Sequence, residues 1–216
     1  MKTAPQQDRS RATVERLLAA ANDEFALHGV AGATTTAIAE RAGVSVGSLY
    51  RFFGDKEAVA AALADRYLED AAAAFGPIIS AIRRQADIVG AARELVRAAA
   101  ELQTVHAGYY RITEDVRPDA AGSPASGVRT AVVGAFAEVF DHLGLGPSPA
   151  VRRRIVTLLT ETVRHELALS AGAEDRAERL TELEELAVGY LVQRLDLGGE
   201  PRISDGVDLG DEPAQG

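Results

Sequence analysis

The chain has 216 residues, 47% of them hydrophobic, enough to bury a sizeable core in one large domain or in a small and a medium one. It contains no cysteine, which excludes a disulfide framework and a thiolate metal site and fits a reducing compartment. The net charge of −9 weighs against a nucleic-acid partner, but residues 1–56 carry seven Lys/Arg against six Asp/Glu, so the acidic excess lies in the remainder.

In chain order, the N-terminus MKTAPQQDRSRATVE is polar with no apolar signal region, and no run approaches the roughly 18 apolar residues of a membrane span. A cytoplasmic protein with no membrane partner is expected. From Arg9 to Leu27, apolar residues recur at helical spacing (Val14, Leu17, Leu18, Ala21, Phe25, Ala26), and Gly29 signals the end. Thr34 stands where an N-cap belongs, ahead of a short helix with Ile38, Ala39 and Ala42 on one face and Gly43 at its end. A second short helix starts at Ser45. Asp55 then caps a longer helix, in which Gly76-Pro77 predicts a break or kink.

Further helices are expected at about 87–105, 107–117, 124–143, 149–171 and 175–196, separated by the turn clusters RPDAAGSP and GLGPSP and by Gly172. No strand pattern or internal repeat is visible. After Leu195 the composition turns to Gly, Pro and Asp without period, which predicts a disordered acidic tail over 197–216. The fold class is therefore all-α, about nine helices, with a small N-terminal domain over 1–55 and a larger helical one over 56–196.

Two short helices joined by a tight Gly-containing turn form a helix-turn-helix, whose second helix enters the DNA major groove. Gly43 and Val44 make the turn, and Val46, Gly47 and Ser48 stand at the N-terminal end of the second helix. Three of the eleven Phe and Tyr residues crowd into positions 50–53. Phe53 is expected to face inward, whereas Tyr50 can pack its ring and offer its hydroxyl to a phosphate. Val46 and Ser48 can touch thymine methyls or base edges but make no bidentate contact to guanine, which leaves sequence readout to Arg51, the threonines and DNA shape.

The stretch TTAIAERAGVSVGSLYRFFGDKEAVAAAL closely resembles the signature of the TetR (tetracycline-repressor) family, with Thr34, Ile38, Ala39, Ala42 to Ser45, Gly47, Leu49, Tyr50, Phe53 and Lys56 in register. The resemblance covers about residues 9–65. It implies an all-helical homodimer with an N-terminal DNA-binding domain on a ligand-binding and dimerising domain, most relatives being repressors released by a small molecule. It also implies that Thr35, Thr36, Val46, Gly47, Ser48, Tyr50, Phe52 and Lys56 face DNA, and Ser45 and Arg51 join them in the expected contact set. Phe52 departs from the pattern, since many relatives carry His there. A Lys just inside a helix N-terminus opposes the helix dipole, so a phosphate partner for Lys56 is the better account.

In the larger domain, Gln103, His106, Tyr109, Tyr110 and Glu114 gather within about three helical turns, and with Phe136, Phe140 and His165 opposite they could line an effector pocket. The alternative is a partly buried helix end with its polar groups satisfied. Ile155, Leu159 and Thr162 on one helix, and Leu183, Leu186 and Tyr190 on another, form stripes suited to a four-helix dimer interface. We read no serine nucleophile elbow, P-loop or dinucleotide-binding glycine motif, and His165-Glu166 lacks the second His of a zinc-protease helix. No catalysis, cofactor or metal is expected. The partners expected are a double-stranded DNA operator of palindromic sequence, a second copy of the chain and an apolar or aromatic small-molecule effector. A regulator without effector, or an activator, is the alternative.

Overall fold

The computed structural model describes residues 4–85, 87–115, 124–146 and 148–197. The tail expected to be disordered lies almost wholly outside them. Among the described residues there are nine α-helices: α1 Ala4–Gly32, α2 Thr35–Arg41, α3 Val46–Phe52, α4 Lys56–Gln85, α5 Ile88–Val105, α6 Ala107–Asp115, α7 Pro124–His142, α8 Pro149–Leu169 and α9 Arg176–Leu195.

Local chemistry sets the boundaries. Gly29 adopts φ 64°, a left-handed conformation, and kinks α1 so that one more turn follows the expected end. The side chain of Thr34 accepts from Ala37 N–H at 3.1 Å, Ser45 from Ser48 N–H at 3.1 Å and Asp55 from Ala58 N–H at 2.7 Å, so α2, α3 and α4 each begin on a side-chain cap. The α2 terminus is closed by Gly43 N–H on Glu40 O and Val44 N–H on Ala39 O. This Schellman arrangement needs the left-handed φ of 65° that Gly43 supplies. Of the break or kink expected at Gly76-Pro77, the break is absent: α4 runs through Pro77 to Gln85. Both termini of this helix are packed against neighbours, which holds it together across the missing N–H.

One side of α4 threads three successive cores. Val59, Ala60 and Leu63 join Leu17, Phe25, Ile38 and Leu49 in the first, under α2 and α3. Tyr67, Ala71 and Phe75 meet Leu102, Tyr109 and Tyr110 in the second. Ile82 reaches the third, among Val139, Ile155, Val156 and Leu191. A fourth cluster of Val96, Ala100, Leu167, Leu183 and Ala187 ties α5 to α8 and α9. The first core also takes Ile112 from α6, so its packing does not stop at residue 55.

Pro77 is solvent-exposed in a helix interior, where proline costs about 3 kcal/mol relative to alanine. Pro77→Ala should raise the unfolding midpoint in a thermal melt. A lowered midpoint would mean that neighbouring packing has adapted to the proline.

Candidate nucleic-acid interface

In α3, Leu49 is fully buried and turns the opposite side of the helix outward. Gly47, Tyr50 and Arg51 are exposed, Val46, Ser48 and Phe52 half-buried, and Thr36 and Ser45 exposed beside them. The Tyr50 hydroxyl lies 3.1 Å from Thr35 Oγ1, a hydrogen bond that joins the start of α2 to the recognition helix. The Arg51 guanidinium stands 4.8 Å from the centre of the Phe52 ring. Phe52 itself leans on the first core, so the ring that replaces the histidine of many relatives serves as a platform for the neighbouring cation. Phe53 packs on the same core, as its inward reading requires.

Lys56 does more than the sequence suggested. Its ammonium donates to Ala31 O at 3.2 Å and Ala33 O at 3.4 Å, carbonyls at and just beyond the C-terminal turn of α1. With three donors on an ammonium, one is left for a phosphate. Arg41 was missed as a positioning group. Its Nε donates to Glu24 Oε1 at 2.7 Å, and Asp23 lies 3.9 Å from another of its nitrogens, which pins α2 to α1. The 17-residue separation from Glu24 leaves no local pattern to read.

The letters of the nucleophile elbow do occur, as Gly43-Val-Ser-Val-Gly47, a match that sequence reading overlooked. Their context is wrong for catalysis. Ser45 sits between two helices with its hydroxyl capping α3, whereas the elbow needs a strand before the serine and a base beside it.

The expected effector residues separate. His106, Tyr109 and Tyr110 do come together, with Tyr67 of α4 at their centre: its ring stacks on Tyr109 at 4.1 Å and meets His106 and Tyr110 edge-on at 5.5 and 5.8 Å. Burial pushes all three phenols above their ordinary range, against the opposing charge of Arg164. It also pushes the His106 imidazole down, despite Asp70 Oδ2 at 3.0 Å from its Nε2. Gln103 instead accepts from Arg176 at 2.9 Å, Phe140 belongs to the third core, and His165 is exposed on α8. Phe136 packs on Phe75 with 5.7 Å between ring centres. The side chain of Glu114 lies outside the described residues.

Beside the tyrosines is a charged group that sequence reading did not single out. Glu161 pairs with Arg164 at 3.0 Å through Oε2 and with Arg129 at 3.6 Å through Oε1, and that second oxygen is buried without a hydrogen bond among the described residues. The dimer stripes also divide. Ile155 and Leu183 are 1% and 4% exposed within the single chain, so they belong to its own core and cannot meet a partner. Leu159, Thr162 and Tyr190 are half-buried. Leu186 is 51% exposed, and on α8 Leu158 and Leu169 are 50% and 58% exposed.

Among the described residues, no helix is long and apolar enough to cross a membrane. Comparison with curated proteins gives no match. The family model described as bacterial regulatory proteins, tetR family, matches residues 17–63, the stretch from α1 into α4. Among solved structures, a TetR-family transcriptional regulator from Streptomyces coelicolor is 25% identical over 85% of this chain and 99% of its own, with a TM-score of 0.60. A transcriptional regulator from Rhodococcus sp. Rha1 is 25% identical over 83% and 96%, with a TM-score of 0.64. The fatty acid degradation regulator FadR from Bacillus halodurans shares the fold at 18% identity over 82% and 95%, with a TM-score of 0.63. With the helix-turn-helix in place, its recognition helix exposed and these matches over it, residues 17–63 carry the DNA-binding region of the tetR family of bacterial regulatory proteins, and the chain as a whole is similar to TetR-family transcriptional regulators.

Proposed function

We propose that the protein is a cytoplasmic repressor that binds a palindromic operator as a homodimer and leaves it when a small apolar or aromatic effector binds the larger domain. The observation that carries this reading is the pairing of an exposed recognition helix with exposed leucines on both α8 and α9. One seven-residue recognition helix offers few base contacts. Two copies held about one DNA turn apart, roughly 34–36 Å between half-sites, would supply the rest. Solvent-facing Leu158, Leu169 and Leu186 are costly unless covered, and a two-fold axis running along α8 and α9 would cover them with their own copies.

The contact set Thr35, Thr36, Ser45, Val46, Gly47, Ser48, Tyr50, Arg51, Phe52 and Lys56 then divides by role. Tyr50, Thr35 and Lys56 position the helix against the backbone, Val46, Gly47 and Ser48 meet base edges, and Arg51 on its Phe52 platform adds the cation. For the effector, the polar edge formed by the Tyr109 hydroxyl, Arg129, Glu161 and Arg164 supports a guest with an apolar body and one polar end. The tyrosine rings themselves are stacked as core and would form the floor of such a site.

Arg51→Ala should lower the magnitude of the salt slope of operator binding by about 1, and Tyr50→Phe should weaken binding with the slope unchanged, because a neutral hydroxyl releases no counterion. Equal slopes for Arg51→Ala and the parent would remove Arg51 from the phosphate contacts. Leu186→Glu should convert the dimer to monomer in light scattering while the far-ultraviolet spectrum and melting point stay near those of the parent. Leu183→Glu should unfold the subunit instead, since it places a charge in the fourth core. A Leu186→Glu chain that remains dimeric would put the interface elsewhere. Apolar and aromatic metabolites that raise the melting point should weaken operator binding by roughly 5–150-fold, and operator should weaken their binding equally. Stabilising compounds without effect on the operator complex would exclude induction.

A further inference from the structure

Where the α5–α6 joint packs on α1 of the DNA-binding domain, one side chain serves both of its helix ends. Val105 ends α5 and Gly108 is the second residue of α6, so the carbonyl of the first and the N–H of the second have no partner inside their own helices. Asn22, from the middle of α1, satisfies both: its Nδ2 donates to Val105 O at 3.1 Å, and its Oδ1 accepts from Gly108 N–H at 3.0 Å. An amide carries a donor and an acceptor on one rigid plane, which lets a single side chain cap two helix ends at once. His106, between those ends, provides no local cap for α6, because its ring is turned to Asp70 of α4. Position 108 must be glycine for this approach, since a Cβ there would collide with the backbone carbonyl of Asn22. Two further contacts reinforce the joint. Ile112, one turn along α6, is buried in the first core, and Asp70 continues to Arg66 at 3.6 Å, which pairs with Glu15 of α1.

We propose that Asn22 is the positioning residue that fixes the helix-turn-helix in angle relative to the larger domain, by capping α5 and α6 from α1. The joint it holds carries His106, Tyr109 and Tyr110, so a shift of α6 must either drag α1 or break the hydrogen bond from Gly108, and a shift of the whole joint must break both. Asn22 does not touch DNA in this assignment. It acts through α1, on which α2 is pinned by Arg41 and Glu24. The consequence for operator binding rests on the dimeric operator reading above, while the clamp itself does not.

The test uses the full-length chain in two arms. The absence of native cysteine allows spin labels at Glu40→Cys on α2 and Glu94→Cys on α5, both exposed, with labelled protein diluted in unlabelled chain. Without DNA, the interlabel distance distribution should be narrow in the parent and broad in Asn22→Ala. Asn22→Asp keeps the acceptor for Gly108 and loses the donor for Val105, and should be intermediate. Gly108→Ala, which forces the helices apart by another route, should also broaden or shift it. An unchanged distribution in Asn22→Ala would overturn the proposal, whatever DNA binding does.

In the second arm, operator binding is measured as one and two base pairs are inserted between half-sites. The parent should discriminate against the altered spacings, and Asn22→Ala should bind the native spacing on the order of ten-fold more weakly with discrimination flattened. Mere loss of stability would lower the active fraction without changing the spacing profile. Full discrimination by Asn22→Ala, despite a broadened distance distribution, would also overturn the positioning role. A parent indifferent to spacing would count against the two-fold operator reading, and the label distances would then decide the clamp alone.

Discussion

A three-helix DNA-binding unit of some fifty residues has little interior of its own, and here the deficit is met from outside. Leu17, Phe25, Ile38 and Leu49 close over Val59 and Leu63 of α4 and Ile112 of α6. That shared core makes the orientation of the recognition helix a property of the whole subunit. Removing the larger domain would expose the underside of the first core along with severing a linker. The placement of α3 therefore stands on residues drawn from three separate parts of the chain.

The electrostatics follow the same division. Charged pairs join elements distant in sequence: Arg41 to Glu24 between α2 and α1, Arg66 to Glu15 between α4 and α1, and Arg97 to Glu184 between α5 and α9 through two 2.8 Å hydrogen bonds. Arg97 is largely exposed, so its pair with Glu184 contributes register more than stability. Glu24 is another matter. Its carboxylate is almost wholly buried, and loss of Arg41 would leave a desolvated charge under the helix-turn-helix.

Much of this fold was legible in the sequence because helix ends announce themselves locally. Thr34, Ser45 and Asp55 each accept from the N–H three residues on, and Gly43 supplies the one left-handed conformation that the turn requires. The proline in α4 does not break the helix, because packing at both ends overrides the local rule. Long-range pairings left no local trace: nothing near Asn22 or Gly108 in sequence reveals that they meet. The dimer stripes were half legible. A helix buried on more than one side shows a broad apolar face, and periodicity alone does not separate Leu183, which packs inward, from Leu186, which faces out. Candidate pocket residues scattered for a similar reason, since clustering in sequence put Gln103 and His106 on one helix end while Arg176 and Asp70 drew them to different neighbours.

Phe52 has a consequence for proton linkage. A histidine there would place a group with an ordinary pKa of about 6.5 against the DNA backbone and tie operator affinity to acidity. With a phenyl ring in its place, residues 34–56 contain no histidine, and the cation resting on that ring, Arg51, keeps its charge at every physiological pH. The exposed side of α3 thus carries no side chain whose charge changes near neutral pH. The histidine buried in the larger domain, His106, is held toward its neutral form by its burial despite the carboxylate of Asp70 beside it, so there too the surroundings work against a positive charge on the ring.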